Sequence, residues 1–577
     1  MDAVALGIFM IPYYAFALIP TDQRLIRWHK KVSQFLFLFI LIVMMALNLM
    51  DVEYFNYTSK RSTSDLFITL TTGEDFKQLI GAFLMDFWWL ILIFFVFIFA
   101  LIRSFYWLQT QKVGHTYFVP LYKRVLYFVV GVAGLFIMGR GGLGYRPADM
   151  MTASQWTSVE NTGLVLNTPL TIIKTIGKAP LTLKEFFDEN TLDELYLAVQ
   201  SPNLGHAVKP QPNIVIIILE SFGDEWLGTN TGWSFTPFLD SLIGESLYFE
   251  NAFANGKKSI EALPAIVAGI PTWMDHPYIS SHYGTNTIQA LPKLLSQMGY
   301  SSAFFHGATN GSMKFDEFAA LAGFEQYFGR REYNNEDHCD ATWGVLDEYF
   351  NPWTAQQISQ SLNPPFLATL FTLSSHHPYY VPEAHRKKLP MGSHPIAQSI
   401  AYADWSLRLF FQEAMKTDWF QNTIFVLTGD HTPAGALPQY NNRLGMFRLP
   451  ILIFDPQKRI QPKVESRIFS HVDIMPTILD LVGFEDPHYS FGKSYFSNIE
   501  NRFAVSYLSG THHLFKGDYM LNFRDDKIEN FFNYQMDTML YQDSLAYYRE
   551  KSEDYVRLLK AVIQRYNFDL IHNNMLP

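Results

Sequence analysis

Four stretches in the first 140 residues, 3–19, 35–50, 84–102 and 125–138, are nearly free of charge. Most approach the roughly 20 residues with which an α-helix crosses a hydrocarbon core. Phe87, Trp88 and Trp89 on one side and Phe105, Tyr106 and Trp107 on the other bracket the third stretch, as aromatic anchors do at a membrane interface. The expectation is an N-terminal transmembrane helical bundle of four spans over residues 1–140. A signal peptide followed by buried core helices is the alternative weighed against it.

Basic residues orient the bundle. Arg24, Arg27, Lys30 and Lys31 follow the first stretch, and Arg103, Lys112, Lys123 and Arg124 follow the third, so both connections are expected in the cytoplasm. Residues 51–83 hold Asp51, Glu53, Asp65, Glu74 and Asp75 against Lys60, Arg61 and Lys77. That loop, and everything beyond Arg140, is expected outside. The same orientation puts Met1 outside without a basic leader, for which a preceding helix in a longer reading frame, making five spans, is the expected explanation.

The 49% hydrophobic content and the mean hydropathy of +0.02 average this apolar front with an ordinary soluble remainder. Residues 141–210 lose strong periodicity and are expected to form a partly helical linker. From 211 to 500, short apolar runs at 214–219, 302–305, 366–372, 424–427 and 450–454 alternate with amphipathic segments. This rhythm predicts an α/β domain with a mostly parallel central sheet covered by helices. Residues 501–577 are expected to complete that domain with a small antiparallel sheet and a closing helix. A net charge of −10 with no basic-aromatic stripe argues against nucleic acid as a partner. The lone cysteine, Cys339, excludes an intramolecular disulfide framework and a thiolate metal cage.

Two strand ends carry the candidate chemistry. The run ending at Leu219 stops at Glu220, and the run ending at Leu427 opens into Gly429, Asp430 and His431. Open α/β sheets place their sites beyond the carboxyl ends of strands, and an acid with an Asp-His pair supplies oxygen and nitrogen ligands for a divalent cation. Between them lies Asn255-Gly256-Lys257-Lys258-Ser259-Ile260-Glu261-Ala262-Leu263-Pro264. Taken alone, Ser259 reads as a helix N-cap. Beside a metal site, the same hydroxyl gains a route to its alkoxide.

The order of Asn213 to Ser221, the Gly-Lys-Lys-Ser segment, Ser375-His376-His377-Pro378 and Gly429-Asp430-His431 resembles that of the alkaline phosphatase superfamily. Within it, the chain resembles the lipoteichoic acid synthase family, whose members join a membrane helical bundle to an extracytoplasmic sulfatase-like domain, and the likeness covers essentially the whole chain. The resemblance implies that Glu220, Asp430, His431 and Ser259 bind one divalent metal ion (manganese, zinc or magnesium). It further implies that Ser259, where relatives commonly carry threonine, is the nucleophile. The step from Ser259 to Pro264 is similar to that in lipid A phosphoethanolamine transferases. His376 is implied as a catalytic and substrate-site histidine with His377 as its neighbouring competitor, His306 and Lys258 as substrate-binding residues, and His471 as a second-metal ligand or a structural turn.

The implied activity is transfer of a phosphoglycerol or similar phospho-head group from a membrane phospholipid to an acceptor hydroxyl of an envelope glycan, lipid or glycerol type, through a phospho-Ser259 ester. The enzyme would be a multi-pass membrane protein. Where glycerol-phosphate polymerases carry a tryptophan and an arginine after the His306 position, this chain has Met313 and Phe315 around Lys314. Arg330 and Arg331 are the alternative cationic contact, or simply a solvated pair. A membrane-tethered phosphodiesterase and a sulfatase-type hydrolase are the rivals, although Ser259 to Leu263 lacks the proline and arginine of the formylglycine-forming sulfatase segment. A catalytically silent binding or sensory protein is the rival from another class.

Overall fold

The computed structural model describes residues 1–17, 25–58, 61–64, 87–110, 120–157, 161–228, 232, 235–340, 342–497 and 502–577. They divide into two compact units, Met1–Pro180 and Leu181–Pro577. Arg24, Lys60, Lys112 and the charged residues expected in the 65–83 part of the first outer loop lie outside the described residues.

The first unit is built from α1 (Asp2–Ala17), α2 (Ile26–Thr58), α3 (Trp88–Thr110) and α4 (Leu121–Arg140). Two of these contain segments long and apolar enough to cross a membrane, Arg27–Val52 and Trp88–Trp107, with mean hydropathy 2.5 and 2.3. Leu92, Phe95, Val96 and Phe99 on α3 are exposed. The first and fourth expected spans are the shorter apolar helices Asp2–Ala17 and Val125–Arg140. At 1.5 Å per residue, the sixteen described residues of α1 cover about 24 Å and the twenty of α4 about 30 Å, against a core about 30 Å thick. Among the described residues, Arg27–Val52 and Trp88–Trp107 are the two helices that are both long and apolar enough to cross a membrane.

Small residues let these helices meet. A Cβ on Gly7 of α1 would lie 2.5 Å from the Gly139 nitrogen of α4, so the two backbones touch, as membrane helices do at small residues. The Tyr14 hydroxyl also donates to the Tyr127 carbonyl at 2.7 Å. At the far end of α2 the buried Asp51 carboxylate pairs with Arg61 at 2.7 Å. Short helices at Met150–Gln155, Thr162–Val165, Thr168–Thr175 and Glu189–Leu195 make the region after α4 partly helical.

The second unit centres on eight strands: β1 (Asn213–Leu219), β2 (Leu247–Phe249), β3 (Ser301–His306), β4 (Gln326–Phe328), β5 (Phe366–Phe371), β6 (Thr423–Gly429), β7 (Ile451–Phe454) and β8 (Lys463–Glu465). Their order is β8-β2-β7-β6-β1-β5-β3-β4. Every neighbouring pair is parallel except those made by β7, which runs antiparallel to β6 and β2. All seven residues of β1 are buried. A central strand covered on both faces needs such a continuous apolar run. On one face Val215, Ile217 and Leu219 share a core with Leu407, Phe410 and Phe411 of a helix over Ala397–Ala414.

Five helices of this unit matter below: α5 (Ser259–Ala268), α6 (Asp347–Ser361), α7 (Ala397–Ala414), α8 (His471–Val482) and α9 (Arg549–His572). The tail forms the expected antiparallel sheet, β9 (Phe503–Leu508), β10 (Thr511–Lys516), β11 (Tyr519–Arg524) and β12 (Lys527–Asn533), in that order. It is tied to the segment before α5, because Asn255 Nδ2 donates to the Val505 carbonyl at 2.8 Å.

Candidate active site

Parallel pairing of β1 with β6 sets Leu219 opposite Gly429, so Glu220 and Asp430 leave adjacent strands side by side. Gly429 permits this approach: a Cβ there would lie 2.2 Å from the Phe222 carbonyl oxygen. Ser221 takes a left-handed backbone, φ 57°, and its N–H donates to Asp430 Oδ1 at 2.7 Å. The His431 N–H reaches the same oxygen at 2.6 Å. Asp430 Oδ2 is buried with no hydrogen-bond partner and lies 3.5 Å from His431 Nε2, which is 3.7 Å from Glu220 Oε1.

One potential ligand atom from each of Glu220, Asp430 and His431 falls within 4.8 Å of the others. Burial, and then the Asp430 charge, push the Glu220 carboxyl well above the usual carboxylate range. His431 Nδ1 is 3.0 Å from the Thr432 carbonyl. With its proton placed there, Nε2 offers a lone pair. Two buried carboxylates, an orphaned oxygen and an oriented imidazole form a donor set that fits a divalent cation.

Ser259 is the first residue of α5, and Lys258 holds the N-cap position without a side-chain capping bond. The capping alternative therefore gives way: Ser259 Oγ instead donates to Glu220 Oε2 at 3.1 Å, at a helix end whose free N–H groups favour anions. Of the two lysines before it, Lys258 is more than half exposed with Nζ 3.3 Å from Glu261. Lys257 turns inward and donates to the Thr432 and Met446 carbonyls at 2.7 and 3.0 Å. Burial lowers its pKa to about 8 against the opposing pull of Asp430, Glu225 and Glu261.

His306 ends β3, is wholly buried, and has Nδ1 3.2 Å from the Phe371 carbonyl, while Nε2 has no hydrogen-bond partner. Burial pushes its pKa down to about 4. Phe315 is buried with its ring 5.2 Å from that of His306. That position is core here rather than a phosphate clamp. Arg330 pairs with Glu336 and Arg331 with Glu332, the solvated arrangement.

His376 follows β5, half-buried, and feels the charges of Asp430 and His431; burial lowers its pKa. Its Nδ1 is 3.0 Å from the His377 carbonyl, which leaves Nε2 as the nitrogen for outside chemistry. Its competitor His377 is exposed. His471 opens α8, buried, with Nε2 2.8 Å from the Gly429 carbonyl. It braces the strand end that carries Asp430 and stands outside the three-residue ligand group.

Three supports carry no sequence signal. The Thr372 hydroxyl accepts the Glu220 N–H at 3.0 Å. Buried Asp347 at the start of α6 accepts the N–H groups of Leu373 and Ser374 at 3.0 and 2.8 Å, holding the segment that leads to His376. Trp343 stands over His376, ring centroids 4.1 Å apart, and donates to the His377 carbonyl at 2.6 Å.

The Sulfatase family profile matches residues 212–484, the segment that holds every ligand just described. The mostly parallel sheet of this segment is similar in fold to solved alkaline phosphatase superfamily and lipoteichoic acid synthase structures. An alkaline phosphatase superfamily protein from Vibrio parahaemolyticus superposes with a TM-score of 0.60 at 22% identity, covering 68% of this chain and 99% of that one. The lipoteichoic acid synthase LtaP of Listeria monocytogenes gives 0.56 at 22%, covering 67% and 98%.

Sequence relatives that carry the name lipoteichoic acid synthase are also similar to this chain. Lipoteichoic acid synthase 1 of Bacillus subtilis is 29% identical over 338 residues, 52% of this chain and 52% of that protein. The Staphylococcus aureus lipoteichoic acid synthase is 26% identical over 534 residues, 86% of this chain and 79% of that protein. The matches to the two Bacillus synthases span about half of those proteins' own length.

Proposed function

We propose that the protein is a membrane-anchored phosphotransferase that moves a phosphoglycerol or similar head group from a membrane phospholipid to an acceptor hydroxyl of an envelope glycan, lipid or glycerol type. The observation that carries this is Ser259 Oγ, at the opening of α5, bonded to Glu220 at 3.1 Å beside the unpartnered Asp430 Oδ2. The synthase names of the sequence relatives support a glycerol-phosphate type of substrate. Residues 1–140 serve as a multi-pass anchor, 141–210 as the linker, and 211–500, completed by 501–577, as an extracytoplasmic catalytic domain.

Glu220, Asp430, His431 and Ser259 would hold one divalent cation, manganese, zinc or magnesium. When bound, it supplies Lewis-acid stabilisation of a serine alkoxide. The remaining work falls to the chain. Ser259 loses its hydroxyl proton by way of Glu220 Oε2, 3.1 Å away, to solvent before attack, so Oγ enters the reaction and later leaves it as the alkoxide. Its Oγ forms a bond to the head-group phosphorus as the bond from phosphorus to the lipid alcohol breaks, and His376 supplies the proton that alcohol needs. In the second half, the acceptor hydroxyl gives its proton to His376 while its oxygen bonds phosphorus and Ser259 Oγ leaves. Lys257 and Lys258 add positive potential to the phosphoanion, and His306 lines its pocket as a neutral imidazole.

Mass spectrometry of the protein incubated with phosphatidylglycerol tests the reading. The expected result is a phosphoglycerol adduct on the peptide carrying Ser259, with lipid turnover reduced at least about a thousandfold in Ser259→Ala. An adduct elsewhere, or turnover within about tenfold of wild type, sinks it. Release of free head-group phosphate with no lengthened or decorated acceptor would instead identify a hydrolase.

A further inference from the structure

The chain leaves His376 through a surface segment that is braced more firmly than a connecting loop requires. Tyr379 and Leu389 pack inward on the main core. His385 Nε2 is 3.0 Å from Glu348 Oε2 and its ring is 4.4 Å from that of Trp405. Arg386 Nε donates to the Val381 carbonyl at 2.9 Å, and Gln398 Nε2 donates to the Arg386 carbonyl at 2.8 Å. The residues between these anchors point outward. Tyr380 is 43% exposed and Met391 83% exposed, and Lys387 and Lys388 are exposed beside Arg386.

In a chain of net charge −10, a basic run flanked by an exposed tyrosine and an exposed methionine has the chemistry of a bilayer interface. The phenol suits the head-group level, the thioether suits the acyl boundary, and the ammonium groups meet lipid phosphates. The nearest acid on the segment, Glu383, is taken up by Arg386 at 3.4 Å.

We propose that residues 377–391 dock the catalytic domain on an anionic phospholipid surface. The purpose of this docking rests on the lipid-donor reading above: the segment is continuous with His376, so seating it at the head groups brings donor phosphate to Ser259 without extracting the lipid.

The test uses the full chain in phosphatidylcholine vesicles with and without phosphatidylglycerol, in a Cys339→Ser background that removes the one native cysteine. An environment-sensitive fluorophore is attached through Met391→Cys or, as comparison, Met415→Cys. Met415 is 57% exposed and lies between α7 and the start of β6, at the amino ends of the parallel strands rather than the carboxyl ends. The expected result is quenching at 391 by spin-labelled lipid in anionic vesicles and none at 415.

Lys387→Glu combined with Lys388→Glu should remove the quenching and raise KM for vesicle-borne donor by roughly tenfold or more at low salt. Turnover of a water-soluble phosphodiester should not change. Absence of quenching at 391 in anionic vesicles overturns the proposal. So does salt-sensitive turnover without quenching, which would assign the lysines to a soluble polyanion. Because quenching is read without turnover, failure of the phospho-Ser259 reading leaves it standing and the two failures are distinguishable.

Discussion

Asp430→Asn changes the protein's stability in opposite directions according to whether the site holds a cation. Asp430 Oδ1 accepts the Ser221 and His431 N–H groups at 2.7 and 2.6 Å, and an amide oxygen can keep both bonds. What is lost is the charge on Oδ2, which is buried, unpartnered and part of the cluster with Glu220. Two unit charges within the 4.8 Å of that cluster repel by about 3.5 kcal/mol at an effective dielectric near 20. Glu220 relieves part of this by taking up a proton, so in chelator-treated protein the substitution should stabilise by about 1–3 kcal/mol. With cation at a hundredfold excess over its Kd, losing the ligand instead removes about 2.7 kcal/mol of linkage stabilisation.

The assay is thermal unfolding of the detergent-solubilised full chain, followed by tryptophan fluorescence with EDTA or with manganese. The variant should melt a few degrees above wild type in chelator and below it in metal. A shift of the same sign in both media would refute the metal assignment.

Two further substitutions probe how the site is held. Gly429→Ala drives a Cβ to 2.2 Å from the Phe222 carbonyl oxygen, so the strand end carrying Asp430 and His431 must move; metal per protein, measured by elemental mass spectrometry, should fall well below that of wild type, and unchanged stoichiometry would contradict this account. Asp347→Ala strands the buried Leu373 and Ser374 N–H groups, at about 1–3 kcal/mol each. It should lower the melting temperature and kcat with little change in KM for donor, whereas Asp347→Asn, which keeps one acceptor oxygen, should recover part of both.

Much of the sheet was legible because central parallel strands must be apolar on both faces. The runs at 214–219, 302–305, 366–372, 424–427 and 450–454 all became strands, within two residues at either end. The reversal of β7 was not legible, since Ile451 to Phe454 buries the same side chains in either direction. Nor was the end of Ser259's capping role: a serine opening a helix looks the same whether its hydroxyl turns back to the backbone or reaches a carboxylate 39 residues away. The apolar front was legible as hydrophobic runs, and two of them, in α2 and α3, are helices long and apolar enough to cross a membrane.

By itself the sequence determined which residue types stand at the ends of β1, β3, β5 and β6, because periodicity and the sharp stop of an apolar run are local properties. Only the tertiary structure decided which of two neighbours faces the site. Lys257 is turned inward while Lys258 stays at the surface, and His376 is half-buried near Asp430 while His377 is exposed. Adjacent residues share a local sequence environment, and they are separated by strand pairing that brings Ser221 and Asp430 together across 209 residues of chain.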